Sequence, residues 1–471
     1  MPARTVPSLT RLRALIDALG HGLLEREAAV RLVLLAALAG EHVLLIGPPG
    51  TAKSELARRL HRCFDGAPYF ERLLTRFSTP EELFGPLSLK ALEDDRYERL
   101  TAGFLPQAGI AFLDEVFKAN SAILNTLLTL LNEREFDNGS GRQRTPLVSV
   151  VGASNELPAD DSLLAFFDRF LLRVPVAPVG DEAFGALLQL PDAPPPAAAP
   201  LQADEREAVA AAAAGVRLGD DALAALAALR TWLADRERTV SDRRWRQWVA
   251  LMRVAAACEG RDTVDRLDLW LAPYVAAAAP DDVPPLAQWF EAACLQAVAQ
   301  EAPWLTRAVE AFERQLQIEE SAPPEGEAGL DASAGKAALA RSVGGGAGLQ
   351  ADGGPLRIAA RALEERMRRR YSPVHVAARL AQLDELIAHA QLQRDDAAAR
   401  ADALRQRLTG RLWLPPELAA RLADAHAQTL AVLDALLARL LQSRAGYAAL
   451  PVAEGLADTP PAPVVLAPVP A

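Results

Sequence analysis

The chain has 471 residues, of which 51% are hydrophobic, so it can bury a sizeable core and form about two to four domains. Its formal net charge of −11 argues against a general nucleic-acid binder, because such proteins need a basic face. The three cysteines have neither metal-ligand nor redox spacing, which favours a reducing compartment. We find no signal peptide and no apolar run long enough to span a membrane, so we expect a cytoplasmic protein.

The first part of the chain alternates strand and helix patterns. Residues 9–39 predict two helices, and the stretch 123–131 predicts another. Short apolar runs predict buried parallel strands at 43–46, 110–113, 147–152 and 171–176. Strands that alternate with helices indicate an α/β fold with a parallel sheet, which we assign to residues 1–190.

After a proline-rich break, the patterns become helical. Residues 204–302 predict an all-helical subdomain, and 303–318 predict a connecting helix. Residues 319–357 are rich in glycine and lack aromatic residues, which predicts a flexible linker. A seam of leucine and alanine with coiled-coil spacing predicts a C-terminal helical hairpin over 358–445, followed by a proline- and alanine-rich tail at 446–471. We predict that this hairpin is a partner-recruiting arm, separate from the first two domains.

The strongest motif follows the first predicted strand and opens a helix. It consists of Gly47, Pro48, Pro49, Gly50, Thr51, Ala52, Lys53 and Ser54. A glycine-rich turn before a helix directs backbone N–H groups at phosphates, so the motif predicts an ATP site. We assign Lys53 to the β- and γ-phosphates and Ser54 to Mg²⁺. Ala52 stands where the usual pattern has glycine, and we treat it as a tolerated variant, which fits if its φ is below zero.

A second motif is an apolar run that ends in Asp114 and Glu115. It predicts two carboxylates at the carboxyl edge of the sheet, where α/β proteins bind ligands. Asp114 is the candidate for holding Mg²⁺ through water, and Glu115 is the candidate base that deprotonates the attacking water. Alone, the pair fits a solvated loop start equally well, but its place after the first motif favours the catalytic interpretation.

Three further positions carry weaker signals. Asn155 ends another predicted strand, where it either hydrogen-bonds the attacking water or the γ-phosphate, or simply begins a turn. Arg169 precedes the last predicted strand and is either an arginine finger for a neighbouring subunit or part of a surface salt bridge with Asp168. Arg243 and Arg244 begin a predicted helix, from which one of them reaches the nucleotide or both are solvated.

These elements, in this order, resemble the AAA+ superfamily over roughly residues 9–300. Longer strings resemble its MoxR group, and most closely the RavA (regulatory ATPase variant A) branch. The strings are GLLEREAAVRLVLLAALAGE at 22–41, TRFSTPEELFGPLS at 75–88, FLDEVFKA at 112–119, ILNTLLTLLNER at 123–134, ASNELP at 153–158 and SDRRW at 241–245. The resemblance implies a parallel-sheet AAA+ domain, a helical lid, and a hexameric ring that binds ATP and Mg²⁺ at its subunit interfaces. It also makes Arg243 a better match than Arg244 for the second sensor of the family.

The resemblance has implications for partners as well. MoxR-group proteins act as chaperones or remodellers of protein substrates, together with a partner that carries a von Willebrand factor A domain. In the RavA branch this partner is ViaA. RavA proteins of enterobacteria also bind a lysine decarboxylase through a small β-rich module after the ATPase. Here the glycine-rich stretch takes the place of that module, which argues against decarboxylase binding, although residues 410–426 resemble the family's last helix.

Two other functions compete with remodelling. A DNA-translocating AAA+ motor is the alternative, because such relatives share hairpin insertions of the kind that we suspect near 87–101 and 135–146. The acidic net charge and the RavA-like strings favour the remodeller. A nucleotide-binding scaffold with little turnover is a third hypothesis, and the intact Lys53, Asp114 and Glu115 argue against it.

Overall fold

The computed structural model describes residues 5–139, 141–158, 160–191, 193–295, 302–322, 369–456 and 460–464. It divides into two compact units: the first comprises residues 1–294 and 407–422, and the second comprises 295–406 and 423–471. Most of the predicted linker at 319–357 and part of the predicted tail lie outside the described residues.

A five-stranded parallel sheet forms the centre of the first unit. The strands of the chain are β1 (Val43–Ile46), β2 (Tyr69–Leu73), β3 (Ile110–Asp114), β4 (Glu135–Asp137), β5 (Arg142–Arg144), β6 (Ser149–Ser154), β7 (Leu172–Pro175), β8 (Arg217–Leu218) and β9 (Thr263–Val264). The order in the central sheet is β2-β3-β6-β1-β7. All four residues of β1 are buried, which explains its continuous apolar sequence.

The edge strand β2 has no counterpart among the predicted strands. Its sequence, YFERL, mixes charged and apolar residues because only Phe70 is buried. Its register is nevertheless set along its whole length, where Tyr69 lies opposite Ile110 and Leu73 lies opposite Asp114. A strand with few buried side chains has few apolar residues, so its sequence shows little hydrophobic pattern.

Helices pack around this sheet and continue into the lid. They are α1 (Leu9–Gly20), α2 (Glu27–Ala39), α3 (Lys53–His61), α4 (Pro80–Phe84), α5 (Leu89–Glu93), α6 (Ser121–Glu133), α7 (Asp161–Phe167), α8 (Asp181–Leu188), α9 (Ala203–Gly215), α10 (Asp220–Ala234), α11 (Asp242–Cys258), α12 (Ala272–Val275) and α13 (Val283–Leu295). One core joins the sheet to α6 through Leu44, Leu113, Ile123 and Leu127, all fully buried. The predicted fold class, a parallel α/β domain followed by a helical lid, is confirmed.

Within its described residues the second unit contains three helices, α14 (Ala302–Ser321), α15 (Pro373–Leu408) and α16 (Pro416–Ala448), of which the last two form the hairpin. Salt bridges from Arg444 to Asp384 and from Arg394 to Asp434 show that α15 and α16 run antiparallel. The connecting helix α14 joins them, because its apolar side chains enter the same core as those of the hairpin. None of the helices in the described ranges is long and apolar enough to cross a bilayer.

The tip segment, residues 407–422, belongs to the first unit and not to a separate arm. Arg411 is 5% exposed and forms ion pairs with Asp268 at 3.0 Å, with Asp265 and with Glu259. Trp413 is 1% exposed. The sequence predicts a hairpin that is separate from the preceding domains. The structure differs from this prediction, because the tip segment of the hairpin belongs to the first unit. Local sequence patterns carry no sign of ion pairs between residues some 140 positions apart.

The tip segment forms further hydrogen bonds, both with the lid and with the sheet domain. The Glu259 carboxylate accepts hydrogen bonds from the backbone N–H groups of Leu412 and Trp413, at 2.7 and 3.2 Å. On the other side, the Arg31 side chain in α2 donates to the Leu412 carbonyl at 3.2 Å. The tip segment thus contacts both the lid and the helix that precedes β1.

Replacing Arg411 with alanine should lower the free energy of unfolding of the first unit by about 3 kcal/mol, because buried carboxylates lose one of their partners. Urea unfolding followed by circular dichroism measures the change. Arg421→Ala in the same tip segment is the matched control, because the guanidinium that pairs with Glu291 is exposed and its ion pair should contribute less than about 1 kcal/mol. Equal, small effects of the two substitutions would show that these ion pairs do not hold the tip segment.

Candidate functional site

The phosphate-binding loop, residues 47–54, connects the end of β1 to the start of α3. Two glycines are required by its geometry. A Cβ atom on Gly47 would lie 2.1 Å from the Val176 carbonyl oxygen, and Gly50 has a φ of +82°. The loop therefore lies directly against the segment that follows β7. Ala52 within this stretch is the N-cap of α3, and Lys53 and Ser54 already belong to the helix, so the amino terminus of α3 faces the loop.

Ala52 departs from its prediction. Its φ is +64°, in the left-handed region, where the sequence had led us to expect a negative value. The Cβ atom of an L-residue is crowded by the following carbonyl there, at a cost of roughly 1–2 kcal/mol. The loop nevertheless holds this conformation, so the alanine adopts the backbone geometry for which the usual pattern has glycine.

Lys53 is 7% exposed and lies within the loop that precedes it. Its ammonium donates to the carbonyls of Gly47 and Pro48, at 2.7 and 2.8 Å, and to Oδ1 of Asn155 at 3.4 Å. Burial lowers the pKa of Lys53, while the nearby carboxylates of Asp114 and Glu115 act in the opposite direction. The structure thus brings a buried cation, two carboxylates and an amide together.

Asp114 and Glu115 end β3, and Asn155 follows β6, the neighbouring strand. The Asn155 amide donates to Oε1 of Glu115 at 2.6 Å, and Oδ1 of Asp114 accepts from the Glu115 backbone N–H at 3.0 Å. Lys118 forms an ion pair with Oε2 of Glu115 at 3.2 Å. Glu115 also has a positive φ of +52°, a strained conformation that is common at functional sites. The Glu115 carboxylate is thus held from two sides.

A magnesium ion would find few protein ligands here. Within the described ranges there is no group of three histidine, cysteine, aspartate or glutamate side chains that could hold a metal. Ser54 in the first turn of α3 and Asp114 at the end of β3 are the candidate oxygen donors. This sparse set fits Mg²⁺, which retains several waters and uses phosphate oxygens together with one or two carboxylates.

Two cavities adjoin the site. One, of about 430 Å³, is lined by Glu115 and Lys118 on one side and by Asn120 on another. The second, of about 380 Å³, is lined by the phosphate-binding loop and by apolar residues that include Val179 and Phe184. A polar cavity beside the carboxylate and a mostly apolar cavity beside the loop suit the two ends of a nucleotide.

Arg26 is a residue of the site that the motifs did not indicate. Its side chain is 8% exposed and donates to the carbonyls of Ala177 at 2.5 Å and Thr51 at 3.5 Å. It therefore ties the phosphate-binding loop to the segment after β7. Burial lowers the pKa of Arg26, opposed by the neighbouring Glu25 and Glu27. The string 22–41 contains this arginine, but nothing in the local pattern reveals its partners.

The three candidate arginines lie at the other edge of the sheet. Arg169 precedes β7, whose first residue, Leu172, lies opposite Val43 at the start of β1. The phosphate-binding loop follows the opposite end of β1. Because this strand has four residues, its two ends are about 13 Å apart. Arg243 donates to Oδ1 of Asn132 at 2.9 Å, at the end of α6. Within one chain, these arginines are therefore not brought to Lys53.

Arg169 and Arg244 differ in their surroundings. The Nε atom of Arg169 is buried and has no hydrogen-bond partner among the described residues. Asp168, its suspected partner, instead lies 3.5 Å from Arg244 and 3.8 Å from Arg173. Arg244 is 3% exposed and donates to four backbone carbonyls. Its guanidinium is fully engaged, so it is not free to reach a nucleotide.

Comparisons with known proteins match this arrangement to a family. Residues 10–193 match a family model described as the MoxR domain in MoxR-vWA-beta-propeller ternary systems, and residues 221–290 match the AAA lid domain. Protein MoxR of Paracoccus denitrificans is 31% identical over 180 residues, which are 36% of this chain and 52% of that protein.

Two uncharacterized proteins of Methanocaldococcus jannaschii are also similar. One is 39% identical over 277 residues, covering 58% of this chain and 72% of that protein. The other is 52% identical over 164 residues, covering 35% of this chain and 43% of that protein. The chain thus spans about half or less of the length of two of these three relatives.

Replacing Ala52 with glycine should raise the free energy of unfolding by about 1 kcal/mol, because glycine adopts a positive φ without steric cost. Urea unfolding is the measurement. Ala57→Gly in α3 is the matched control and should have the opposite sign, since glycine destabilises a helix interior by about 1 kcal/mol. A loss of stability in both variants would contradict the left-handed conformation of Ala52.

Proposed function

This chain belongs to the MoxR group of AAA+ ATPases, and we propose that it hydrolyses ATP at the subunit interfaces of a hexameric ring in order to remodel protein partners. The observation that carries the proposal is the hydrogen-bonded cluster of Lys53, Glu115 and Asn155 beside the phosphate-binding loop. The candidate arginine finger Arg169, whose buried Nε has no hydrogen-bond partner in the described part of the chain, lies at the opposite edge of the sheet. Each chain thus carries one half of the proposed site at the carboxyl ends of its strands and the complementary half at their amino ends.

The phosphate-binding loop and the apolar cavity beside it would hold the nucleotide. We place the base in the cavity that Val179 and Phe184 line, and the phosphates at residues 47–54. Lys53 exchanges its bonds to the loop carbonyls for bonds to phosphate oxygens. Ser54 and Asp114 hold Mg²⁺, which supplies positive charge against the phosphates when bound.

Glu115 is the proposed base for the attacking water. The Asn155 amide and the Lys118 ammonium occupy its two carboxylate oxygens and so orient it toward the cavity of about 430 Å³. A carboxylate held in this way accepts a proton from a water placed within hydrogen-bond distance. Asn155 is the proposed sensor, because it contacts both Lys53 and Glu115 and so adjoins both the phosphates and the water.

The separation of the two edges of the sheet supports the proposed ring. Arg169 cannot serve the site of its own chain from the amino edge of the sheet, so we propose that it serves the neighbour's. Arg243 lies at the same edge, and we assign it to the neighbour's nucleotide as well. Six copies and a cytoplasmic location are proposed from the family resemblance.

A protein partner with a von Willebrand factor A domain is proposed from the description of the matching family, which names vWA proteins beside MoxR. A ViaA-like partner and the RavA branch rest on the sequence strings alone. The protein substrate is not identified by its chemistry, and binding of a lysine decarboxylase is not proposed. The region where its β-rich module would lie falls mainly outside the described residues.

The DNA-translocating motor is not favoured. The suspected second hairpin exists, because β4 and β5 pair as antiparallel strands. However, Arg142 in this hairpin is neutralised by Glu133 at 2.8 Å and by Glu135 at 3.7 Å. This leaves Arg144 as the exposed charge on β5, which is too little for a backbone-binding surface.

Glu115→Gln should bind ATP with little change in Kd but reduce kcat at least a hundredfold, because the amide keeps the hydrogen bond to Asn155 but accepts no proton. Turnover and nucleotide binding are measured separately. Lys53→Ala is the contrasting variant and should lose tight ATP binding. Near-normal turnover of Glu115→Gln would assign the base to another residue.

Arg169→Ala subunits and Glu115→Gln subunits should each be nearly inactive but recover hydrolysis when mixed. Some interfaces then pair an intact Glu115 with an intact Arg169. Activity is measured across mixing ratios, and mixed rings are verified by native mass spectrometry. If mixed rings form and no ratio recovers activity, Arg169 does not act across the interface.

A further inference from the structure

Arg244 is a buried cation at the junction between the lid and the segment that carries Arg169. It begins α11 in the lid, and Nη1 donates to the carbonyls of Phe170 at 3.0 Å and Asp168 at 3.3 Å. Nη2 donates to the Leu171 carbonyl at 2.8 Å. These acceptors lie on both sides of Arg169, so one guanidinium holds the backbone of the turn that presents it.

The same guanidinium also bonds within the lid. Nη2 donates to the Val275 carbonyl in α12 at 2.6 Å. Ser241 caps the helix by accepting from the Arg244 backbone N–H at 3.4 Å, which fixes the origin of the side chain. Arg244 therefore spans two lid helices and the turn, and a change in their relative position would alter its hydrogen bonds.

Arg173 supports the turn from the other side. It donates to the Ala277 carbonyl at 3.0 Å, and its guanidinium lies 3.7 Å from the centre of the Phe167 ring. Both arginines lie within 4 Å of one carboxylate oxygen of Asp168. The residues before and after Arg169 are thus committed to contacts within the chain, whereas Nε of Arg169 has no partner among the described residues.

We propose that Arg244 is a positioning residue for Arg169. In this role Arg244 couples the position of Arg169, the proposed arginine finger, to the position of the lid. The proposal rests on the proposed function, in which Arg169 acts on the neighbour's nucleotide. Arg244 itself touches no nucleotide. It holds the turn 168–171, which carries Arg169 at the amino edge of the sheet, and it links that turn to α11 and α12. A lid that moves with its own nucleotide would then change catalysis at the next site of the ring.

The geometry of arginine is essential to this role. Its planar fork places five N–H donors in fixed directions, and four carbonyls here accept from its two terminal nitrogens. A lysine ammonium keeps the charge but is a single point with three donors, so it cannot bond both the turn and the Val275 carbonyl in the same way. Arg244→Lys therefore keeps the positive charge of the side chain but removes the hydrogen bonds that depend on the geometry of arginine.

The test uses the full chain with the Arg244→Lys substitution. We expect ATP affinity within about twofold of the wild type, because the phosphate-binding loop is untouched, and kcat lowered at least tenfold, or about 1.4 kcal/mol. Mixing assays then show whether the variant subunit is defective in its own nucleotide site or in its arginine finger. Arg244→Lys subunits should recover hydrolysis with Glu115→Gln subunits, which have intact fingers, but not with Arg169→Ala subunits, which lack them. Arg246→Lys, exposed on the same helix, is the control and should keep normal turnover.

The outcomes are distinguishable. Normal turnover of Arg244→Lys overturns the inference. Recovery with Arg169→Ala subunits also overturns it, because Arg244→Lys subunits would then supply a working finger and Arg244 would act on its own site. Failure to recover with either partner, or loss of rings, shows a general structural role and also overturns it. The reference mixture of Arg169→Ala with Glu115→Gln tests the proposed function separately. If that mixture stays inactive in mixed rings, the finger itself is misassigned.

Discussion

The parallel pairing of β1 with β6 and β7 is the constraint on which the site depends. Because the strands point the same way, the phosphate-binding loop and Asn155 follow their strands at one edge of the sheet. For the same reason, Arg169 precedes β7 at the other edge. The two halves of the proposed catalytic site therefore lie at opposite edges of the sheet in one chain, which is why the proposed activity needs a second copy of the chain.

Buried arginines connect the segments that this sheet brings together. Arg26 joins the phosphate-binding loop to the end of β7, Arg244 joins the lid to the turn before β7, and Arg411 joins the tip segment to the lid. Each is less than 10% exposed and bonds acceptors from more than one segment. The planar fork of arginine suits this role, because its donors reach several carbonyls or carboxylates at once.

Two residues near the phosphates have left-handed backbone conformations without being glycine. Ala52 ends the phosphate-binding loop, and Glu115 follows β3. Such conformations cost free energy and persist where the surrounding structure determines them fully. At Ala52 the loop lies between β1 and the segment after β7, and at Glu115 the carboxylate is held by Asn155 and Lys118. Two of the non-glycine residues with a positive φ therefore lie where the proposed chemistry takes place.

Local patterns were sufficient to predict the α/β fold, the helical lid, the phosphate-binding loop and the carboxylates that end β3, because periodicity and short motifs are properties of neighbouring residues. They did not reveal the half-exposed strand β2, the positive φ of Ala52, or the packing of the predicted connecting helix against the C-terminal hairpin. Remote contacts decided the rest. Arg244, and not Arg243, is buried against carbonyls some 75 residues away, and Arg411 reaches carboxylates some 145 residues away. Pairings at such separations depend on how the chain packs, and no local stretch of sequence encodes them.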